Sequence, residues 1–287
     1  MQKVSVIIPT YNRRQTLGRA LDSVLLTATG TSKPKRVPGT VEIIVVDDGS
    51  TDGTSDWLRQ KYSELRLFTA ERRGPAAARN TGIKHARHDW IAFLDSDDEW
   101  LPGKLSAQFE FFEKNPQYLI CQTEEIWIRN GLRVNPMKKH QKFGGEIFEK
   151  CLPLCIVSPS ATMLHKKLLD EVGFFDETLP ACEDYDLWLR IAARHPIGLI
   201  ETPYIKKYGG HADQQSRVIT EMDQYRIRSL VKLLGSGRLD EEKKEAALHT
   251  LKEKAQIFVN GALKRGRLED AGEIFDLVEP IISITRT

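Results

Sequence analysis

The sequence predicts an α/β protein, a mostly parallel sheet flanked by helices, with a helical C-terminal appendage. Three observations carry this. Short β-branched apolar runs alternate with segments whose apolar residues recur at helical spacing, as parallel strands joined by helical crossovers require. Acidic, arginine and asparagine residues cluster just after those runs, at the carboxyl ends of the strands, where open α/β sheets bind ligands. From about residue 214 the strand pattern ends and the chain turns helical and charged.

“KVSVIIP” (3–9) reads as a strand buried on both faces. Asn12 is placed to cap the following helix, where Leu17, Leu21, Val24 and Leu25 recur at helical spacing. Residues 27–40, “TATGTSKPKRVPGT”, are a loop by their Gly, Pro, Ser and Lys content. “VEIIVVD” is a second buried strand, and “DGSTDGT” is a turn that caps a helix through Trp57 and Leu58. “LRLFTA” is a third strand, “GPAAARNTGIKHA” a turn with proline near a helix start, and “WIAFLD” a fourth strand. The pattern beyond is mixed. A helix follows Pro102, a strand pair turns at Asn130-Gly131, and “SPSATMLHKKLLDEVG” is a strand then a helix ending at Gly173. “CEDYDLWLRIAARH” is an amphipathic helix that opens with acids, where the helix dipole favours them.

The totals exclude little. Of 287 residues, 40% are apolar and 29% charged, and the net charge is +2, so bulk electrostatics selects no partner. No basic arm or zinc-finger spacing points to nucleic acid. Cys151 and Cys155 form a C-x3-C pair with no matching Cys/His pair after it, so the four cysteines read as ordinary thiols. The N-terminus lacks a signal-peptide pattern and no run reaches the length of a membrane helix, so a reducing cytoplasm is expected, with contact at a membrane surface left open.

“WIAFLDSDDEW” (90–100) is the most informative stretch. An apolar strand delivers Asp95, Asp97, Asp98 and Glu99 within five positions. Like charges so close repel. A divalent cation resolves the crowding, because hard oxygen ligands suit Mg²⁺ or Mn²⁺. Taken alone, the same residues read as an acidic helix start before Pro102, with Asp98 or Glu99 as cap.

“VSVIIPTYNR”, “EIIVVDDGSTDGT”, “RRGPAAARNTGI” and “IAFLDSDDEWLPGKL” occur in that order, with an acidic pair downstream in “CEDYDLW”. Together they resemble the family 2 glycosyltransferases, which have the GT-A fold with its Rossmann-like sheet. The resemblance runs over residues 4–216. It implies a catalytic domain over 1–215, with a nucleotide-binding half (1–100) and an acceptor-binding half (101–215), and a helical extension over 216–287.

The resemblance also implies roles. Pro9, Thr10, Tyr11 and Asn12 match the loop that forms the nucleotide base and ribose pocket. Asp48 matches the carboxylate that accepts a base N–H, while Asp47 ties down the turn. Arg79 falls near the nucleotide with Asn80 beside it, although a surface-helix position stays open. Asp95 matches the residue facing the ribose, and Asp97 the metal ligand that bridges to the diphosphate. Glu183-Asp184 match the acceptor-side pair. Asp184 is the expected general base, Glu183 its rival, and Asp186 is expected on the helix surface. His211 in “YGGHADQQS” matches a histidine that helps hold the metal or diphosphate, or else is an exposed loop residue. His85, His88, His165 and His195 are expected to be structural.

The implied activity is metal-dependent, inverting transfer of a hexosyl or N-acetylhexosaminyl group. The donor would be a nucleoside diphosphate sugar, UDP by default. The acceptor would be a hydroxyl of a glycan, lipid-linked or protein acceptor, at the inner membrane face. Two rivals remain: a sugar-phosphate nucleotidyltransferase, which should carry a Gly-rich basic loop where this chain has “PTYNRR”, and a non-catalytic nucleotide-sugar-binding module, which should lack the base. The long 27–40 loop and the helical tail depart from the family pattern. The tail reads as a clamp on the catalytic domain, an oligomer interface or a membrane-surface helix, the last disfavoured by its interspersed acids.

Overall fold

The structure, a computed structural model, describes residues 3–29, 40–210 and 221–284. The first strand, β1 (Val4–Thr10), is buried along its whole length and pairs in parallel with β2 (Val41–Asp47) and β4 (Trp90–Phe93), while β3 (Arg66–Thr69) pairs in parallel with β2. The β4 pairing stops at Ile7, short of Pro9, so the missing proline N–H interrupts no ladder on that side. Helices α1 (Arg14–Thr29), α2 (Thr54–Lys61) and α3 (Pro75–His85) make the crossovers. Gly82 lets α3 lie close to β1, because a Cβ there would collide with the Ile7 side chain.

After β5 (Glu99–Trp100) and α4 (Lys104–Lys114) the sheet becomes mixed. β6 (Ile120–Arg129) turns into β7 (Leu132–Val134) through Asn130 and Gly131, both at positive φ as a tight hairpin requires. A short α5 (Phe148–Cys151) leads to β8 (Thr162–His165), α6 (Lys167–Val172), α7 (Glu183–Ala192) and β9 (Gly198–Gly209). The strand order is β3-β2-β1-β4-β8-β6-β9-β5, with β7 attached to β6. β8 runs antiparallel to β4 and to β6, whereas β9 runs parallel to β6 and antiparallel to β5.

Two strands go beyond the sequence reading. β5 is a two-residue pairing too short to carry a pattern, and β9 follows no clean alternation because its register against β6 shifts around Glu124. One cap also differs. Asn12 does not cap α1. It sits at positive φ, its Oδ1 accepts the Thr51 N–H at 2.8 Å, and the α1 N–H of Arg14 goes to Asp52 instead.

The tail consists of α8 (Asp223–Gly235), α9 (Glu241–Lys264) and α10 (Leu268–Ile284). Asp240 caps α9 by accepting the Lys243 N–H at 2.8 Å. The tail shares one apolar core with the rest of the chain, in which Ile227, Leu230, Ala247 and Leu251 join Tyr185, Trp188 and Leu189. A boundary at 215 falls outside the described residues, as does most of the 27–40 loop. No helix among the described residues is long and apolar enough to cross a membrane.

Candidate functional site

The carboxyl ends of β1, β2 and β3 are level, because Thr10 pairs with Asp47 and Asp47 with Thr69. The loops leaving them are stitched together. The Asp48 N–H donates to the Thr10 carbonyl at 2.9 Å, and the Asn12 N–H donates to the Ser50 hydroxyl at 2.8 Å. Asp47 accepts the Ser50 N–H at 2.9 Å and the Ser55 hydroxyl, which fixes the turn as expected. Pro9 and Thr10 are buried, and the Thr10 hydroxyl has no hydrogen-bond partner among the described residues. Tyr11 lies under Arg72, whose guanidinium sits 4.0 Å from the ring centre and donates to the phenol oxygen at 3.1 Å.

Asp48 is more engaged than the sequence implied. One oxygen accepts the Arg73 N–H and the other the Gly74 N–H, each at 2.8 Å. Burial raises its pKa, against the pull of the two amides and Arg72. This carboxylate fixes the chain just before Pro75, where α3 begins.

Arg79 is not on the surface. Its guanidinium is buried, donating through Nη1 to Glu183 at 2.7 Å and through Nη2 to Asp95 at 2.8 Å. Two carboxylates hold it charged despite burial, Asp95 acting first and then Glu183. Beside it, Asn80 donates to the Phe175 carbonyl and to Glu177, both at 2.9 Å, and accepts the Phe175 N–H at 3.1 Å. The helix named by “AAARN” thus ties the end of β4 to the start of α7.

The acidic cluster divides by environment. Asp95 and Asp97 are half-buried, whereas Asp98 is buried. Asp98 accepts the Ser160 hydroxyl at 2.7 Å and the Tyr208 N–H at 3.0 Å. Burial, and then the charges of Asp97 and Asp95, push its pKa well up. Asp98 therefore joins β9 to the cluster rather than offering an open carboxylate. Glu99 pairs with Lys206 at 2.9 Å and accepts the Tyr208 hydroxyl at 2.8 Å. Among the described residues no group of three His, Cys, Asp or Glu is arranged to hold a metal ion. The donor set nonetheless suits Mg²⁺ or Mn²⁺, since Asp97 and the Asp95 oxygen not bound to Arg79 are hard ligands, and such ions take one or two protein carboxylates and complete their shell with water and phosphate. His211 lies outside the described residues.

On α7, Glu183 is buried and its pKa is pushed up to about 7, by burial first, then opposed by Arg79 and reinforced by Asp184. Asp184 is half-buried; its Oδ1 accepts its neighbour's N–H at 2.7 Å and its Oδ2 faces the Cys155 thiol at 3.5 Å. Asp186 departs from its expected place on the helix surface. It is buried, accepts Arg190 Nη2 at 2.7 Å and pairs with Lys232 of α8, because the tail covers that face of the helix. His85 stacks on Phe68, His165 packs edge-on against Trp90, and His195 meets Glu171 at 2.8 Å. Lys207 of β9 escaped the sequence reading; its ammonium lies 4.0 Å from Glu125 and 3.5 Å from the Ser158 hydroxyl. An alternating strand reading of “YIKKYGG” was the one signal that could have found it.

A profile described as glycosyl transferase family 2 matches residues 5–173. An uncharacterized glycosyltransferase of Rickettsia felis is 36% identical over 69% of this chain and 32% of its own length. The chain thus spans about a third of the length of that relative. The E. coli protein named UDP-Glc:alpha-D-GlcNAc-diphosphoundecaprenol beta-1,3-glucosyltransferase WfgD is 34% identical over 70% of this chain and 74% of its own. The crystal structure of S. aureus TarS 1-349 in complex with UDP-GlcNAc superposes with a TM-score of 0.72 at 20% identity, over 98% of this chain and 81% of that one. It shares the fold.

Proposed function

The chain belongs to glycosyl transferase family 2, and from that premise we propose that it is an inverting glycosyltransferase acting on a UDP-linked hexose or N-acetylhexosamine. The proposed acceptor is a hydroxyl of a lipid-linked glycan, reached at the cytoplasmic face of a membrane. The name of the E. coli relative, with its glucosyl donor and diphosphoundecaprenol-linked GlcNAc, supports this choice. The observation that carries the reading is the Arg79 bridge, which holds Asp95 of the donor side and Glu183 of the acceptor side on one guanidinium.

In this reading Pro9, Thr10, Tyr11 and Asn12 enclose the base and ribose, and the Thr10 hydroxyl, unpartnered among the described residues, bonds the ligand. Asp48 shapes the wall of the pocket through the 73–74 backbone and presents its remaining acceptor capacity to the base. Asp95 would face the ribose and Asp97 would hold a divalent cation, with His211, outside the described residues, as the further ligand the family resemblance implies. When bound, that cation neutralises charge on the departing diphosphate. Asp184 takes the proton from the acceptor hydroxyl as its oxygen attacks the anomeric carbon, opposite the leaving group. Glu183 has a pKa of about 7, suited to a general base, but it is buried and its Oε1 is occupied by Arg79. Asp184 is the more open carboxylate and the better fit.

The test is UDP-glucose and UDP-GlcNAc offered with Mn²⁺ and a short-chain GlcNAc-α-diphosphoryl lipid, with the product anomer read by NMR. Transfer with inverted configuration supports the proposal. A retained anomer, or UDP release that never depends on acceptor, removes it.

A further inference from the structure

The β6–β7 hairpin carries charges of one sign. Residues 126–145 hold Arg129, Arg133, Lys138, Lys139 and Lys142 and no acid. Lys142 is buried and pairs with Glu125 at 3.4 Å. The other four are exposed, and none of them pairs with a carboxylate among the described residues. The flanking acids do not offset them. Glu124 and Glu125 are half-buried farther down β6, and Glu125 is shared by Lys142 and Lys207. Glu146 lies beyond the Gly145–Ile197 bridge that returns the chain to the sheet.

Apolar side chains stand among these cations. Leu132 is 72% exposed and Met137 59%. Leu132 pairs with Arg129 across the hairpin, so the two share a face. Trp127 and Val134 lie on that face one pair further down, and His140 packs 5.0 Å from the Trp127 ring. That contact returns the 138–140 turn, with Lys138 and Lys139, to the same side. Arg133 pairs with Ile128 and projects from the reverse face. The tail exposes Leu268 and Phe275 as well, but α10 interleaves them with Glu269, Asp270, Glu273 and Asp276. The hairpin also rises beside the site. Ile128 and Arg129 pair with Tyr208 and Gly209 of β9, and the Tyr208 N–H donates to Asp98 at 3.0 Å.

We propose that the β6–β7 hairpin docks on an anionic lipid bilayer, its cations on the lipid phosphates and Leu132 and Met137 in the headgroup layer. Each Lys or Arg near such a surface adds to the attraction, and apolar tips gain by leaving water there. A polyanion in solution would satisfy the cations and leave both apolar tips exposed. Docking holds the rim beside Asp98 at the level of a lipid-borne diphosphate, so its purpose rests on the lipid-linked acceptor proposed above.

The test is co-sedimentation of the full chain with sucrose-loaded vesicles, of phosphatidylcholine alone and of phosphatidylcholine mixed with phosphatidylglycerol. Binding is expected on the mixed vesicles only, weakening as salt is raised. Lys138→Gln with Lys139→Gln is expected to weaken it roughly tenfold or more. Leu132→Ser with Met137→Ser is expected to weaken it by roughly tenfold, and Leu268→Ser with Phe275→Ser to leave it unchanged. Every substituted position is exposed, and melting curves check that each variant folds. No binding to the mixed vesicles overturns the proposal, as does binding lost only through the tail pair. Loss through the lysine pair with none through the apolar pair also overturns it, because the face then suits any polyanion. Transfer assays separate the layers. The hairpin variants are expected to keep turnover on a short-chain GlcNAc-α-diphosphoryl lipid in solution and to slow transfer to a long-chain acceptor embedded in mixed vesicles. Vesicle binding without any transfer supports the docking and removes the acceptor, while transfer in solution without vesicle binding removes only the docking.

Discussion

Arg79 and Glu183 lie 104 residues apart in sequence and 2.7 Å apart across a buried hydrogen bond. The same guanidinium holds Asp95 at 2.8 Å, so one side chain joins the end of β4 to the first turn of α7. An arginine that serves two buried carboxylates is committed to the protein. We therefore propose that Arg79 organises the site rather than gripping the nucleotide directly. Breaking a buried pair from one side leaves an uncompensated charge, at a cost of about 3–5 kcal/mol. Arg79→Met is expected to lose stability on that scale in urea denaturation at pH 8. A loss below about 1 kcal/mol would mean the bridge behaves like a surface pair.

Glu183 makes the stability depend on pH. Its folded pKa of about 7 lies above the ordinary 4.5, so the folded chain binds a proton there more tightly than the unfolded one. The contribution is fully present below pH 4.5 and is lost as the pH rises to 7, at up to about 1.4 kcal/mol per pH unit within that window. Comparing urea midpoints of the native chain and Glu183→Gln at pH 5 and 7.5 isolates it. The variant is expected to lose less stability across the interval, and parallel losses would refute the assignment.

Asp97 is the half-buried acid expected to hold the cation. Asp97→Ala is expected to abolish turnover and to weaken Mn²⁺-assisted UDP binding by about tenfold or more, while EDTA brings native and variant affinities together. Calorimetry with and without EDTA checks this. Affinity indifferent to both the substitution and the chelator would end the metal role.

Asp48 carries two backbone N–H groups, so its removal acts on the fold as well as on the ligand. Asp48→Ala is expected to lose about 1–3 kcal/mol per amide left without a partner. Asp48→Asn is milder, and the comparison of ligands is informative there. UDP affinity is expected to fall while pyrophosphate affinity holds, because pyrophosphate has no base. Equal losses would reduce Asp48 to a support for the 73–74 loop.

Asp184→Asn keeps the shape and removes the basicity. Turnover is expected to fall on the order of 10²- to 10⁴-fold with donor affinity nearly unchanged. Rates and NMR of the product anomer decide it, and a variant that retains turnover moves the base to Glu183 or elsewhere.

The tail is expected to be needed for a stable fold. Lys232 pairs with the buried Asp186, and Ile227 and Leu230 are fully buried in the core shared with α7. A chain ending after residue 217 is expected to lose its cooperative thermal transition. A soluble fragment with a native-like melt would show that α7 needs no cover.

The sequence by itself determined the elements and the chemical inventory. The β-branched runs became β1, β2 and β4, Pro75 opened α3, and Asn130-Gly131 turned the β6–β7 hairpin, because each of these depends on neighbours a few residues away. The acids of “DSDD” and “CED” were legible for the same reason, since crowded carboxylates stand out in any window. Only the tertiary structure decided which acids were open and which were spoken for. Arg79 was ambiguous as a letter, and Asp186 looked like helix surface until α8 was laid over it. Lys207 was hidden because β9 breaks the two-residue alternation where its register shifts. Asp98 meets Tyr208 across 110 residues, a contact that exists only once the strands are ordered in the sheet. Charge and burial are sums over everything folded around a group, and no local window of sequence contains that sum.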